Sequence, residues 1–280
     1  MSIISPPSFE YLHLKTSDSH PKIWELSFHH GKANEVGSEI LHELDRLNDA
    51  LYHPQGPMAL ISSSERISKS GKPIFIAGAN VTERSGWDDT QIRAHVRRQR
   101  DILARLRKAP IFHVCIVHGI ALGWGAEFLI TADYKIATSG ARFGLPETGL
   151  GILPGAGGTS ELAELIGVPH ALRLGMTGEQ INRDEAFRIG LVQEISHDLS
   201  SAKDRANQLC EMVTRKSPTA LAAFKHALLS SRGTTAETRM ELEALAYERC
   251  VDSGDAAIGR ASFSQIIKGE TPQWGLKQTT

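Results

Sequence analysis

At 280 residues, 41% hydrophobic and 22% charged, the chain has the make-up of a folded protein with one large domain or a domain and an appendage. A formal net charge of −1 supplies no global field to draw it to nucleic acid or an anionic membrane, so any basic patch is local. Three cysteines, Cys115, Cys210 and Cys250, with no CxxC pair, give no complete disulfide framework and fit a reducing compartment.

Residues 1–21 are polar and read as a loose lead-in, without the basic start and apolar stretch of a secretory signal. Lys22 to Phe28 is β-prone, with Ile23, Trp24, Leu26 and Phe28, and His29-His30-Gly31 makes a turn. From Ser38, taken as an N-cap, Ile40, Leu41, Leu44, Leu47 and Leu51 recur at helical spacing. Met58 to Ser62 is a strand, a polar loop runs to Gly71-Lys72-Pro73, and Ile74 to Ala77 is a short apolar run.

Trp87 to Lys108 predicts a basic helix whose apolar stripe is Ile92, Val96, Ile102, Leu103 and Leu106. Ile111 to Val117 and Tyr134 to Ala137 predict buried strands, and Cys115 in the first reads as an inert buried thiol. The apolar stretch from Ala109 to Ala132 is interrupted by Gly119, Gly123 and Gly125 and two histidines. A strand, a glycine turn and a buried helix fit it better than an unbroken membrane span of about 20 residues. Strand and helix alternate this far, which gives an α/β fold class with a mostly parallel sheet. After about Glu161 the pattern turns helical over Glu185–Ile189, Ser201–Thr214, Pro218–Leu229 and Thr235–Val251, with one strand at Leu191–Ile195. The expected division is residues 1–200 as the body and 201–280 as a helical C-terminal region.

Three glycine-containing loops carry the chemistry. Phe75-Ile76-Ala77-Gly78-Ala79-Asn80 follows an apolar run; its small residues let a ligand approach free backbone N–H groups, or simply end a strand. His118 to Phe128, with Gly119, Gly123 and Gly125, follows a strand and opens a helix whose N–H groups suit an oxyanion. Its glycines do not have dinucleotide-loop spacing. Glu127 stands in this helix either as a reacting carboxylate or as a complement to the helix dipole. Glu147 lies among Phe143, Gly144, Leu145 and Pro146; apolar surroundings raise a carboxyl pKa and suit a general acid or base, the alternative being a loop carboxylate held by backbone N–H groups. The glycines of 155–158 lack the Gly-Lys-Ser/Thr ending of a phosphate loop.

Together, and in this order and separation, the three loops from Phe75 to Leu191 resemble the crotonase, or enoyl-CoA hydratase/isomerase, superfamily. Lys32-Ala33-Asn34 upstream and Met176-Thr177-Gly178 downstream extend the likeness. The resemblance implies a spiral core of ββα units with a helical C-terminal trimerisation region, assembled as a homo-oligomeric trimer or dimer of trimers. It implies that the N–H groups of Ala79 and Trp124 form an oxyanion hole for an acyl-CoA thioester and that Glu127 and Glu147 are the catalytic pair. Lys32, Ala33, Ala77, Gly78, Gly123, Pro146 and, by a shorter match, Phe263 are implied as substrate-binding positions.

Two glutamates favour hydration of the α,β double bond to a 3-hydroxyacyl-CoA over double-bond isomerisation. No metal or redox cofactor is implied, coenzyme A being part of the substrate. Asn80, His118 and Trp124 depart from the family pattern, and the Trp124 indole is expected to point into the acyl pocket. RNA binding by the basic helix, or a non-catalytic acyl-CoA-binding role, are the less favoured readings. Neither a membrane nor a peroxisomal ending at Lys277–Thr280 is indicated, so a cytoplasmic enzyme is expected.

Overall fold

Successive segments of the chain feed two sheets in turn. Leu12–Thr16 (β1) and Ile23–Phe28 (β2) form an antiparallel pair, followed by the helix Ser38–Tyr52 (α1). Ala59–Ser64 (β3), Arg66–Ile67 (β4) and Pro73–Ile76 (β5) lead to the helix Asp89–Lys108 (α2). Phe112–Val117 (β6), Ile120–Leu122 (β7) and Trp124–Ile130 (α3) repeat the order, and Tyr134–Ala137 (β8) with Arg142–Gly144 (β9) begin it again. Ser160–Ile166 (α4), Val168–Thr177 (α5), Ile181–Asn182 (β10), Arg183–Arg188 (α6) and Glu194–Ile195 (β11) complete the layered body. Leu199–Thr214 (α7), Pro218–Ser230 (α8), Ala236–Asp252 (α9), Asp255–Ala261 (α10) and Phe263–Ile266 (α11) are the helical end. This is a computed structural model describing residues 3–278; residues 1–2 of the expected lead-in and 279–280 of the expected C-terminal region lie outside the described residues.

One sheet runs β1-β2-β3-β6-β8-β11 and the other β10-β9-β7-β5-β4. The ladders β3–β6–β8 and β5–β7–β9 are both parallel. Each repeat therefore gives one strand to each sheet before its helix returns the chain, which is a spiral of ββα units. All six residues of β3 are buried, as expected of a parallel strand covered on both faces. Ile40, Leu41, Leu44, Leu47 and Leu51 form the buried face of α1, and Ile102, Leu103 and Leu106 that of α2. A capping box, Asp88 with Gln91, starts α2.

Four expectations change. The polar lead-in contains β1, paired along its length with β2, and the buried Glu43 of α1 anchors its start by accepting hydrogen bonds from the N–H groups of Glu10 (2.6 Å), Tyr11 and Leu12 (2.8 Å). Ser38 is inside its helix, not the cap; its N–H donates 2.9 Å to Glu83 Oε2, so a distant side chain satisfies that helix end. The polar loop before Gly71 holds β4, and the two central glycine loops hold β7 and β9, each too short to show a period of two. The strand expected over Leu191–Ile195 is only Glu194–Ile195.

Candidate active site

Gly123 is the hinge of the site. Its φ of 52° and ψ of −118° belong to glycine, and they turn the chain from β7 into α3. Its N–H donates to Gly144 O at 2.9 Å, and its carbonyl accepts the N–H groups of Ala126 and Glu127. Glu127 thereby stands in the first turn of α3, and β9, which ends at Gly144, delivers Pro146 and Glu147 beside it. The Glu147 carboxylate lies over Gly123: a Cβ there would be 2.7 Å from Glu147 Oε1.

The two carboxylates meet different surroundings. Glu127 Oε1 accepts the N–H groups of Ala156 (2.6 Å) and Gly158 (3.0 Å). Burial raises its pKa, opposed by the Gly158 and Ala156 hydrogen bonds and by the charge of Arg100. Glu147 Oε2 is buried with no hydrogen-bond partner among the described residues. Burial pushes the Glu147 carboxyl up to about 7, opposed by a hydrogen bond from its own backbone N–H and helped by the neighbouring Glu127 charge. Burial thus raises both carboxyls, and of the two Glu127 is the one whose charged form is held by two backbone N–H groups from a distant loop.

The first glycine loop arrives from the other side. In the parallel bridge between Val36 and Ala79, Val36 donates to Gly78 O (3.0 Å) and accepts from Asn80 N–H (2.8 Å). Both bonds use the peptides flanking Ala79, so the N–H of Ala79 itself faces away from Val36. The Ala77 N–H donates to Ala33 O at 3.0 Å, tying in the Lys32–Asn34 turn. Beneath that turn, buried Asn34 donates to Phe28 O, Ser64 Oγ and Phe75 O and accepts from His30 N–H. A Cβ on Gly125 would be 2.2 Å from Ile76 O, so only glycine lets α3 approach the end of β5 this closely. That approach brings the Trp124 N–H, at the start of α3 with no preceding turn to accept it, next to the 77–79 loop.

Most of the sequence-derived positions lie on four neighbouring segments: Ala33; Ala77, Gly78 and Ala79; Gly123, Trp124 and Glu127; and Pro146 and Glu147. Lys32 is exposed at their edge. Phe263 does not join them; it is 64% exposed on α11, which packs on α10. The Trp124 indole also departs from expectation. It is 2% exposed, in the main core and stacked on Phe128 at 5.8 Å between ring centroids, so it packs as a core side chain. Cys115 is buried as expected, its thiol pushed up to about 12.

The sequence reading missed the partners of Glu127. The 155–158 run cradles an anion, but that anion is the chain's own carboxylate. The signal lay in the Gly-rich run itself, which exposes N–H groups whatever they bind. Beyond Glu127 a cleft of about 390 Å³ opens between α2 and this loop, lined by Arg100, Leu103, Ile130, Leu153 and Pro154 among others.

Part of the basic character of α2 is spent within the chain: Arg93 pairs with Asp89, Arg105 with Asp45 and Asp49, and Arg107 with Glu161 and Ile130 O, while Arg97, Arg98 and Lys108 are exposed. No helix among the described residues is long and apolar enough to cross a membrane.

Comparison with known proteins agrees with this geometry. The model of the enoyl-CoA hydratase/isomerase family matches residues 67–274. The chain is 31% identical over 240 residues to a short-chain-enoyl-CoA hydratase of Clostridium acetobutylicum, covering 85% of this chain and 88% of that one. It is 32% identical over 246 residues to a probable enoyl-CoA hydratase of Bacillus subtilis, covering 87% and 92%. The crystal structure of an enoyl-CoA hydratase from Bacillus anthracis superposes with a TM-score of 0.84 at 28% identity, covering 95% of this chain and 99% of that one. With the ββα spiral and three converging turns, these matches place the chain in the enoyl-CoA hydratase/isomerase family, with the crotonase fold.

Proposed function

We propose that the protein adds water across the α,β double bond of an enoyl-CoA thioester, giving the 3-hydroxyacyl-CoA. The observation that carries this is the unequal pair of carboxylates: Glu127 is gripped by two N–H groups, while Glu147 is half-buried, its Oε2 without a partner among the described residues. The thioester oxygen accepts from the Ala79 and Trp124 N–H groups. Since α3 has only seven residues, those two N–H groups, and not the helix dipole, are the donors. Polarised in this way, the enoyl group is electrophilic at Cβ. Ionised Glu127 takes a proton from water as its oxygen bonds to Cβ, and the electron pair moves toward the thioester oxygen. Protonated Glu147 then delivers its proton to Cα, and the thioester carbonyl re-forms. The polarisation comes from backbone donors, so the scheme calls on no metal or redox cofactor.

Within the same proposal, residues 1–200 form the catalytic core and 201–280 the oligomerisation region of a trimer or a dimer of trimers. Phe224, Met240 and Tyr247, on α8 and α9 and about 70% exposed, support an apolar contact with other copies. A cytoplasmic location and an acyl-CoA substrate complete it.

The test is loss of enoyl absorbance from crotonyl-CoA, with product identified by chromatography. Wild type should convert it to 3-hydroxybutyryl-CoA, and Glu127→Gln and Glu147→Gln should each be slower by about a hundredfold or more. A shifted double bond in place of the hydroxyl product would refute hydration. Light scattering of the purified chain checks the oligomer, and a monomer would count against that part.

A further inference from the structure

α2 meets the loop that holds Glu127 at Gly155. Arg100 Nε donates 2.8 Å to Gly155 O, and a Cβ on Gly155 would stand 2.9 Å from Val96 Cγ1. The carbonyl of Gly155 and the N–H of Ala156 belong to one peptide unit. That unit is planar, and in its trans form the two groups point in opposite directions. Arg100 therefore pulls on one end of a rigid plate whose other end donates 2.6 Å to Glu127 Oε1. Thr159 Oγ1 donates 2.8 Å to Pro154 O and closes the loop on itself, which places the second donor, the Gly158 N–H.

We propose that Arg100 is a positioning residue for Glu127: its hold on the Gly155 carbonyl aims and polarises the Ala156 N–H, keeping Glu127 ionised and fixed as the base. The inference rests on the hydration reading for its catalytic consequence, though not for its electrostatic one. A cationic donor at the carbonyl strengthens the N–H of the same peptide, because hydrogen bonds in series polarise each other.

The other charged groups around Glu127 do not take this role. Glu147, from the turn after β9, is an acid whose own pKa the Glu127 charge raises, so it cannot hold Glu127 ionised. Arg107 and Lys108 of α2 and Glu161 of α4 line the same cleft. Arg107 is occupied by Ile130 O and Glu161 Oε2, both at 3.0 Å, and Lys108 is exposed. Arg100 alone among these cations bonds the loop that grips Glu127, and it is the cation whose charge opposes the effect of burial on that carboxyl.

The experiment compares wild type, Arg100→Gln and Arg100→Lys in two readouts. Titration of the Glu127 side-chain carboxyl by carbon NMR, with its signal assigned through Glu127→Gln, needs no turnover. It therefore separates failure of this inference from failure of the hydratase reading. In Arg100→Gln the Glu127 titration should move to higher pH, and Arg100→Lys, which keeps the charge, should move it back toward wild type. With crotonyl-CoA, Arg100→Gln should lower kcat by about tenfold with KM nearly unchanged, and the acid limb of the kcat profile should shift up with the titration. Wild-type titration of Glu127 in Arg100→Gln would overturn the inference. So would a rise in KM alone, which would assign Arg100 to substrate binding.

Discussion

Glu147 occupies the space that a side chain on Gly123 would need, its Oε1 lying 2.7 Å from the position of that absent Cβ. The glycine that turns β7 into α3 is thus also the floor on which the second carboxylate rests. Gly123→Ala should cost on the order of 1–3 kcal/mol from the backbone conformation alone. It should lower turnover more than stability explains, because Glu147 is displaced. Thermal unfolding beside crotonyl-CoA kinetics measures both, and a variant that unfolds earlier but turns over normally would detach Glu147 from its proposed role.

The pH dependence follows from Glu147. Its carboxyl titrates at about 7 in the folded chain against an ordinary value of 4.5. The folded state therefore favours the protonated form. Its contribution to stability is fully present below 4.5 and is lost as pH rises through about 7. Glu147→Gln removes this dependence, so the variant should gain on wild type between those two values and hold a constant lead above them. Denaturant unfolding of both proteins across that range tests it. Because hydration needs the protonated acid, wild-type kcat in that direction should also fall above about pH 7.

Asn34 is a stability prediction with a functional echo. Its buried amide shares its two N–H donors among Phe28 O, Ser64 Oγ and Phe75 O and accepts one N–H, so Asn34→Ala leaves several groups unpaired. A loss of roughly 2–4 kcal/mol is expected, read by chemical denaturation. Under native conditions the Ala77–Ala79 loop should also exchange its amide hydrogens faster, since Ala33 next door holds Ala77. Unchanged exchange there would show that the two turns are independent.

Trp124 separates core packing from acyl selection. Trp124→Ala should destabilise by roughly 3–5 kcal/mol, the usual cost of emptying a large aromatic site. Trp124→Phe keeps a ring against Phe128 and the N–H at the same position, so turnover should stay within a few fold. Its preference between crotonyl-CoA and a longer enoyl-CoA should be that of wild type. A changed preference would mean that the indole reaches the acyl chain after all.

Much of this site is legible along the chain because its chemistry is local. Gly78, Gly123 and Gly125 announce backbone that must turn sharply or be approached closely, and Glu127 and Glu147 are conspicuous as charges in apolar stretches. The helix of residues 89–108 and the strands of 112–117 and 134–137 show in their periodicity or continuous apolarity. The strands β1, β4, β7 and β9 do not. β7 and β9, which lead into the site, are three residues long, β4 two and β1 five, and what makes each of them a strand is a neighbour's ladder.

By itself, then, the sequence determined the α/β class, the three turns, the two carboxylates and the family they resemble, because those depend on residue type and spacing. Only the tertiary structure decided that the Trp124 indole goes into the core, that Phe263 stands apart, and that Glu127 is gripped by the Ala156 and Gly158 amides while Glu147 Oε2 has no partner among the described residues. Burial, hydrogen bonding and the pKa of a carboxyl depend on which distant segments close around it. The contacts that set them join residues about 30 or more positions apart, Glu127 with Ala156 and Arg100 with Gly155 among them, and no local pattern encodes such a meeting.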